Sequence, residues 1–289
     1  MLQDILVTGL VNGGVYALLA IGFSLIFGVA RIVNIAHTAF YMLAAYCFYT
    51  LLTKTGLGFV LSGVIAVSAV TAFSVLCYRL VIEPVREHEA AVLIATIALA
   101  LIFQELMLYA FGGHFLGIPS TLEGSMRFLG VSIPYQRLLI LVVAGVMLAA
   151  VWFTLYRTRL GLAIRATAND LEVANLMGMN VHRVAMITVG FSVGLAAIAG
   201  VVATPVTSVH PHMWLDPLVT MLAIVVLGGL GSLKGSVIGA LVIAYVEAIT
   251  VFTLPEGAHL KGVAALGIMV AVLLARPEGL FGVAFEEER

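Results

Sequence analysis

Charge is scarce in this sequence. Its 14 Lys and Arg and 15 Asp and Glu make 10% of 289 residues, against roughly 25% in a soluble domain. The net charge of -1 supplies no basic field, which excludes nucleic acid as a partner. The acidic run Glu286, Glu287, Glu288 reads as a solvated end. Only two cysteines occur, Cys47 and Cys77, both inside apolar stretches with no CxxC pair and no zinc-finger histidine spacing, so a disulfide scaffold and a metal motif are unsupported. The dipeptide Gly-Lys is absent, and with it any phosphate-binding loop of the G-x4-G-K-[ST] type. No Lys or Arg precedes the first apolar run, only Asp4, so that run is expected to be a retained span rather than a cleaved signal.

Apolar residues fill the space that charge leaves: 62% of the chain is hydrophobic, and mean hydropathy is +1.16. Apolar runs fall at about 5–29, 36–53, 57–80, 91–111, 138–156, 182–206, 218–252 and 263–275. This predicts an all-α, polytopic transmembrane bundle of about eight to nine spans, forming a single membrane domain over residues 1–289. The run 218–252 is too long to be one straight span, since it would extend about 52 Å against a hydrocarbon core of about 30 Å. A break or re-entrant turn is expected in GGLGSLKGS, residues 228–236, where Gly228, Gly229, Gly231 and Gly235 surround Lys234.

With nine crossings, Arg31, Arg79, Arg86, Arg157, Arg159, Arg165, Arg183, Lys234, Arg276 and Arg289 share one side, leaving Lys54, Arg127, Arg137 and Lys261 on the other. The positive side is cytoplasmic by the charge rule, which puts the N-terminus outside and the C-terminus inside. Eight crossings would instead place Arg276 and Arg289 outside. Glycines four apart, Gly9 with Gly13, Gly190 with Gly194, and Gly231, Gly235, Gly239, suggest close helix packing.

Two kinds of residue stand out as functional. The polar insert 157–182, on the positive side, contains a two-turn amphipathic helix, capped by Asp170, with Glu172 in its first turn, a stripe of Leu171, Ala174 and Met177, and Gly178 as its stop. So short a helix needs a surface to lie on: the membrane, its own bundle or a cytoplasmic partner. The second kind is polar residues inside apolar spans, which usually face protein or water: Asn12, Asn34, His37, Thr38, Tyr41, Gln104, Glu105 and Glu247. Asn34 with Thr38, and His37 with Tyr41, are spaced to share a helical stripe that lines a pathway, seals its inner end, or makes interhelical hydrogen bonds. Gln104, Glu105 and Glu247 fall toward outer span ends, where a wet vestibule would tolerate charge. GFSVG at 190–194 matches a nucleophile elbow in letters only, because Ser192 lies within a continuous apolar run; packing explains it better. His210, His212 and Asp216 read as an interfacial rim, not a metal site.

Glu172, Ala174 and Gly178 match the E-x-A-x3-G core of the loop by which importer permeases of the ATP-binding-cassette class engage their ATPases. The stretches NGGVYALLAIGFSLIFGVARIVNIAH at 12–37, AIVVLGGLGSLKGSVIGALVIAYVEAI at 223–249 and RPEGLFG at 276–282 resemble the branched-chain amino-acid permease family, LivH type. Thr38 stands where the family usually has Gly after its N-A-H signature, and Ile35 where an aromatic usually follows Asn34. The resemblance implies a permease that imports branched-chain or related small amino acids and alters no bond. Related permeases carry small amides such as urea, and a stand-alone secondary transporter would use similar residues. It implies a bacterial inner-membrane location, a LivM-like second permease as heterodimer partner, two cytoplasmic ATPase subunits and an extracytoplasmic substrate-binding protein. ATP and Mg would bind the ATPases and no cofactor this chain. Arg165, Asp170, Glu172, Ala174 and Gly178 would carry ATPase coupling.

Overall fold

In lipid, backbone amides have no water to bond, so an apolar chain satisfies them within helices. The computed structural model describes residues 1–118, 124–128 and 131–282; the acidic run Glu286 to Glu288 lies outside the described residues. The elements are α1 (Leu2–Ala30), α2 (His37–Lys54), α3 (Phe59–Cys77), α4 (Glu89–Phe111), the antiparallel hairpin β1 (Ser125–Phe128) and β2 (Val131–Pro134), α5 (Tyr135–Arg157), α6 (Arg159–Asn169), α7 (Leu171–Leu176), α8 (Val181–Ala203), α9 (Leu215–Gly228), α10 (Leu233–Thr253) and α11 (Gly257–Ala275). Helix α3 continues as a wider π-type stretch over Tyr78–Ile82 and a tighter 3-10 turn over Glu83–Val85. Among the described residues seven helices are long and apolar enough to cross a bilayer, as expected of a polytopic bundle. The count of eight to nine is approximate because α2 and α9 are unlike the others. Helix α2 carries His37, Thr38 and Tyr41 inside the bundle, and the 14 residues of α9 rise only about 21 Å.

Burial divides the helices into centre and shell. About two-thirds of the apolar window of α1 and 72% of that of α8 are buried, against 22% in α5 and 6% in α11. Helices α1, α2, α8, α9 and α10 therefore enclose the core, while the apolar outer faces of the shell suit lipid or another membrane subunit.

The run 218–252 breaks at residues 229–232, and α9 and α10 fold into an antiparallel hairpin. Gly229 and Gly231 adopt φ of 98° and 81°, a region that side chains disfavour. Ser232 then caps α10 by accepting from the Gly235 amide at 3.1 Å. Because Gly231 lies in this turn, the supposed three-glycine ladder reduces on α10 to Gly235, against Gly228, and Gly239, against Ile224. Gly9 and Gly13 admit Tyr245 and Leu241 of α10 to α1, and Gly190 admits Val75 of α3 to α8. After α11 the RPEGLFG segment returns to the hairpin: the Leu280 and Phe281 amides donate to the carbonyls of Leu227 and Gly228 at 2.8 and 3.0 Å. These are carbonyls that the end of α9 would otherwise leave unpaired.

Contacts across the termini of the helices define two ends of the bundle. At one, Arg137 meets Thr8, Lys261 pairs with Asp216, and Leu116 and Val209 exchange backbone hydrogen bonds. At the other, Gly231 packs near Gly28, Arg86 meets His182 and Arg165 lies over Tyr156.

Candidate functional site

The first candidate lies at the arginine-rich end. Thr158 caps α6 by accepting from the Gly161 amide at 3.1 Å, and Gly161 is pressed against the carbonyls of Thr154 and Leu155, where no side chain fits. Helix α6 was not expected from the sequence, which treats residues before Asp170 as loop. Arg165 lies 5.0 Å from the Tyr156 ring centroid, which ties α6 to α5. The expected short helix is α7. Asp170 Oδ1 accepts from the Glu172 and Val173 amides, each at 2.9 Å. Gly178, at φ 81°, closes the helix in a Schellman motif, with Gly178 N–H donating to Asn175 O and Met179 N–H to Ala174 O. The expected stripe divides: Ala174 is buried against the protein, whereas Met177 is 77% exposed. It joins Val173 and Leu176 in an uncovered apolar surface.

The second candidate is a buried polar cluster near the same end. Asn34, His37, Thr38 and Ser192 are fully buried; Asn34 Nδ2 and Oδ1, Thr38 Oγ1 and Ser192 Oγ make no hydrogen bond among the described residues, and the backbone of Leu19 is a polar neighbour of the His37 ring there. Asn34 sits in the non-helical stretch before α2, so it does not share a helical stripe with Thr38; the His37 amide, donating to Asn34 O, only begins the first turn. His37 and Tyr41 do share α2. The His37 ring packs on Gly22 of α1, where any side chain would also strike the Ser192 carbonyl of α8, and sits edge-on to Phe23. Each unpaired buried group costs about 1–3 kcal/mol, so this stretch is unusually expensive to keep closed.

The third candidate is a cavity of about 640 Å³ at the opposite end, lined among others by Thr8, Asn12, Tyr16, Tyr41, Arg137, His210, Asp216 and Lys261. Asn12 and Tyr41 thus come together, while Asn34, His37 and Thr38 are not among its lining residues. Gln104 is held elsewhere, accepting from Trp214 Nε1 at 2.9 Å and donating to Glu105 at 3.3 Å; Glu105 is exposed on α4. Glu247 does not sit in a wet vestibule. It is 2% exposed and accepts from Tyr16 Oη at 2.7 Å and Thr220 Oγ1 at 3.3 Å, because α1 and α9 close over it. Burial, then the neighbouring His212, hold His210 below the usual imidazole range against the pull of Asp216, so the loop presents a neutral ring to the cavity at neutral pH.

Tyr16, Arg137 and Lys261 were not singled out in the sequence as site residues, and Asp216 was read there only as part of an interfacial rim with His210 and His212. Thr8, Asn12 and Tyr16 recur every four residues on α1, a polar stripe that was readable. The convergence of α5 and α11 on that stripe is a tertiary fact with no local signal.

The chain is 32% identical to the high-affinity branched-chain amino acid transport system permease protein BraD of Pseudomonas aeruginosa, covering 96% of this chain and 94% of that protein. It is 29% identical to LivH of Escherichia coli K12, covering 95% and 93%. A match to the ribose import permease protein RbsC of Escherichia coli K12 is partial, 29% identity over 53% of this chain and 46% of that one. Among solved structures, a chain of PsaBC from Streptococcus pneumoniae, in complex with Fab, aligns with a TM-score of 0.53 over 95% of this chain and 92% of that chain; at 14% identity the likeness is one of fold. Residues 5–273 match the family described as branched-chain amino acid transport system, permease component. With that match spanning nearly all of a multi-pass helical bundle, the chain belongs to the family of branched-chain amino acid transport permeases.

Proposed function

We propose that this chain is the permease subunit of an ATP-binding-cassette importer that moves branched-chain amino acids into the cytoplasm. It pairs with a LivM-like second permease in a bacterial inner membrane, with two ATPase subunits on the cytoplasmic face and a substrate-binding protein outside. ATP and Mg belong to the ATPases, and this chain needs no cofactor. The N-terminus lies outside and the C-terminus inside, so that the arginine-rich end meets the cytosol, in accord with the charge rule.

The observation that carries this reading is α7, a six-residue helix capped by Asp170 at its start and closed by Gly178 at its end, with an uncovered surface of Val173, Leu176 and Met177. Alone it lacks the length to be stable; seated in an ATPase groove it becomes a lever between that subunit and α5, α6 and α8. A partner shifts only states that it binds unequally, so ATP-driven movement at α7 must accompany a change in the bundle. Copurification tests the assembly: the chain expressed with its partner subunits should retain both ATPases and support ATP-dependent leucine uptake in proteoliposomes. Uptake driven by an ion gradient without ATPases, or transport of a small amide in place of leucine, would replace this reading.

The buried cluster supplies a second expectation. Groups as costly to bury as Asn34, His37 and Thr38 are those that gain most from hydration when the inner end opens. A Thr38→Cys variant, with Cys47 and Cys77 replaced by Ala, should resist a small polar thiol reagent at rest and react at least about tenfold faster during ATP turnover, the ratio for a state shift of about 1.4 kcal/mol. Equal rates in both conditions would remove this stretch from the moving pathway.

A further inference from the structure

The outer cavity carries both charge signs beside an aliphatic wall, and no element of the coupling account requires that. Its volume of about 640 Å³ falls within the roughly 300–1,000 Å³ of small-molecule sites. Val11, Val15 and Ile140 line one side and belong to an apolar cluster with Val202. Arg137 enters from the start of α5. Its guanidinium makes no ion pair among the described residues, and its one hydrogen bond there is a long one, 3.5 Å to Thr8 Oγ1. Most of its five donors are therefore free for a planar anion.

Tyr16 is set up for the opposite charge. Its only proton is donated to Glu247 at 2.7 Å, so its oxygen can only accept from what enters the cavity. The Glu247 carboxylate behind it, receiving a second proton donor from Thr220, favours a positive group at that spot. Thr8, Asn12 and Tyr16 rise along one face of α1 by about 6 Å per step. The cationic group thus stands at the outer step of the stripe, and the Tyr16 side chain, leaning back toward the N-terminus of α1 as helical side chains do, carries its acceptor oxygen outward toward it.

We propose that this cavity is a transit site for the amino acid itself: Arg137 takes the α-carboxylate, the neutral Tyr16 hydroxyl oxygen, polarised from behind by Glu247, takes the α-ammonium with help from Asn12, and the Val11, Val15 and Ile140 wall takes a branched aliphatic side chain. The proposal rests on the importer reading above and deepens it. It makes the permease, not the binding protein alone, a reader of substrate chemistry.

The test uses the complete permease–ATPase complex in lipid nanodiscs without binding protein, with radiolabelled leucine as the probe. Leucine should bind, and leucinol, which lacks the carboxylate, and isocaproate, which lacks the ammonium, should compete at least about tenfold less well, the worth of one lost charge-assisted contact. Arg137→Gln should weaken leucine by about tenfold or more and erase the difference between leucine and leucinol, with partial recovery in Arg137→Lys. Tyr16→Phe should do the same for the comparison with isocaproate. Absence of leucine binding, or Arg137→Gln within about twofold of wild type, overturns the site. Leucine uptake by the same complex with binding protein added separates the two failures. If uptake works and the site results fail, only the site falls; if no branched-chain amino acid is taken up, the importer reading falls and the site with it.

Discussion

Replacing Gly178 with proline is expected to reduce leucine uptake by the assembled transporter at least about tenfold while ATP hydrolysis continues, an energy difference of only about 1.4 kcal/mol at the coupling step. The physical reason is local. Gly178 holds φ at 81°, which proline, locked near -65°, cannot adopt. Proline also removes the amide that donates to Asn175 O at 3.0 Å, so the Schellman closure of α7 is lost at once. None of the described residues stands within 4 Å of a side-chain carbon placed there, so steric damage to the bundle is not expected. Gly178→Ala separates the two ideas: it keeps the amide and meets only the left-handed penalty of about 1–2 kcal/mol, and should give an intermediate loss. Asp170→Ala should act in the same direction, since removing a cap costs about 0.5–2 kcal/mol in a helix of six residues. The measurements are uptake and ATP hydrolysis on the same proteoliposomes. Normal coupled uptake by Gly178→Pro would remove α7 as the lever.

The largest effect on the fold is expected at Gly235. A methyl group there would land on the carbonyl of Gly228, so backbone presses on backbone and no side chain can yield. Overpacking usually costs about 1–3 kcal/mol and sometimes more, against a total stability of about 5–15 kcal/mol. Here α9 and α10 must separate, and with them the support for Leu280 and Phe281, which hang from the carbonyls at the end of α9. Gly235→Val should therefore leave little monodisperse protein after extraction in mild detergent. Gly239→Ala should fall between, because its new carbon would meet Ile224 O at 2.8 Å and then side chains. Gly267→Val in α11, with none of the described residues within 4 Å of the new carbon, should extract like wild type. Size-exclusion recovery of the three variants gives the comparison directly.

Much of this architecture was legible because membrane helices announce themselves by length and composition, and because caps are local chemistry. Asp170, the stop at Gly178 and the break near Gly229 each follow from a few adjacent residues. What escaped was tertiary or lacked a single-residue signal. Helix α6 is amphipathic with little apolar character of its own, and it is held by Gly161 against α5, a contact that no spacing reveals. The short strands of the hairpin, four residues each, leave no period to read. Glu247 lies near a span end in sequence, yet α1 and α9 enclose it; burial depends on neighbours 231 and 27 residues away. The same holds for the outer cavity, where Asn12 and Tyr41 were singled out for a pathway and His210, His212 and Asp216 for a rim, but their convergence with Arg137 of α5 and Lys261 of α11 carried no local signal.

The measurement closest to the central idea is the sidedness of α7. Leu176 is 85% exposed at its tip, and a Leu176→Cys variant with Cys47 and Cys77 replaced by Ala presents one thiol there. The account predicts labelling by a membrane-impermeant maleimide in inverted vesicles and not in intact cells, with protection when the ATPase subunits are bound. Labelling in intact cells would put α7 on the outer face and contradict it.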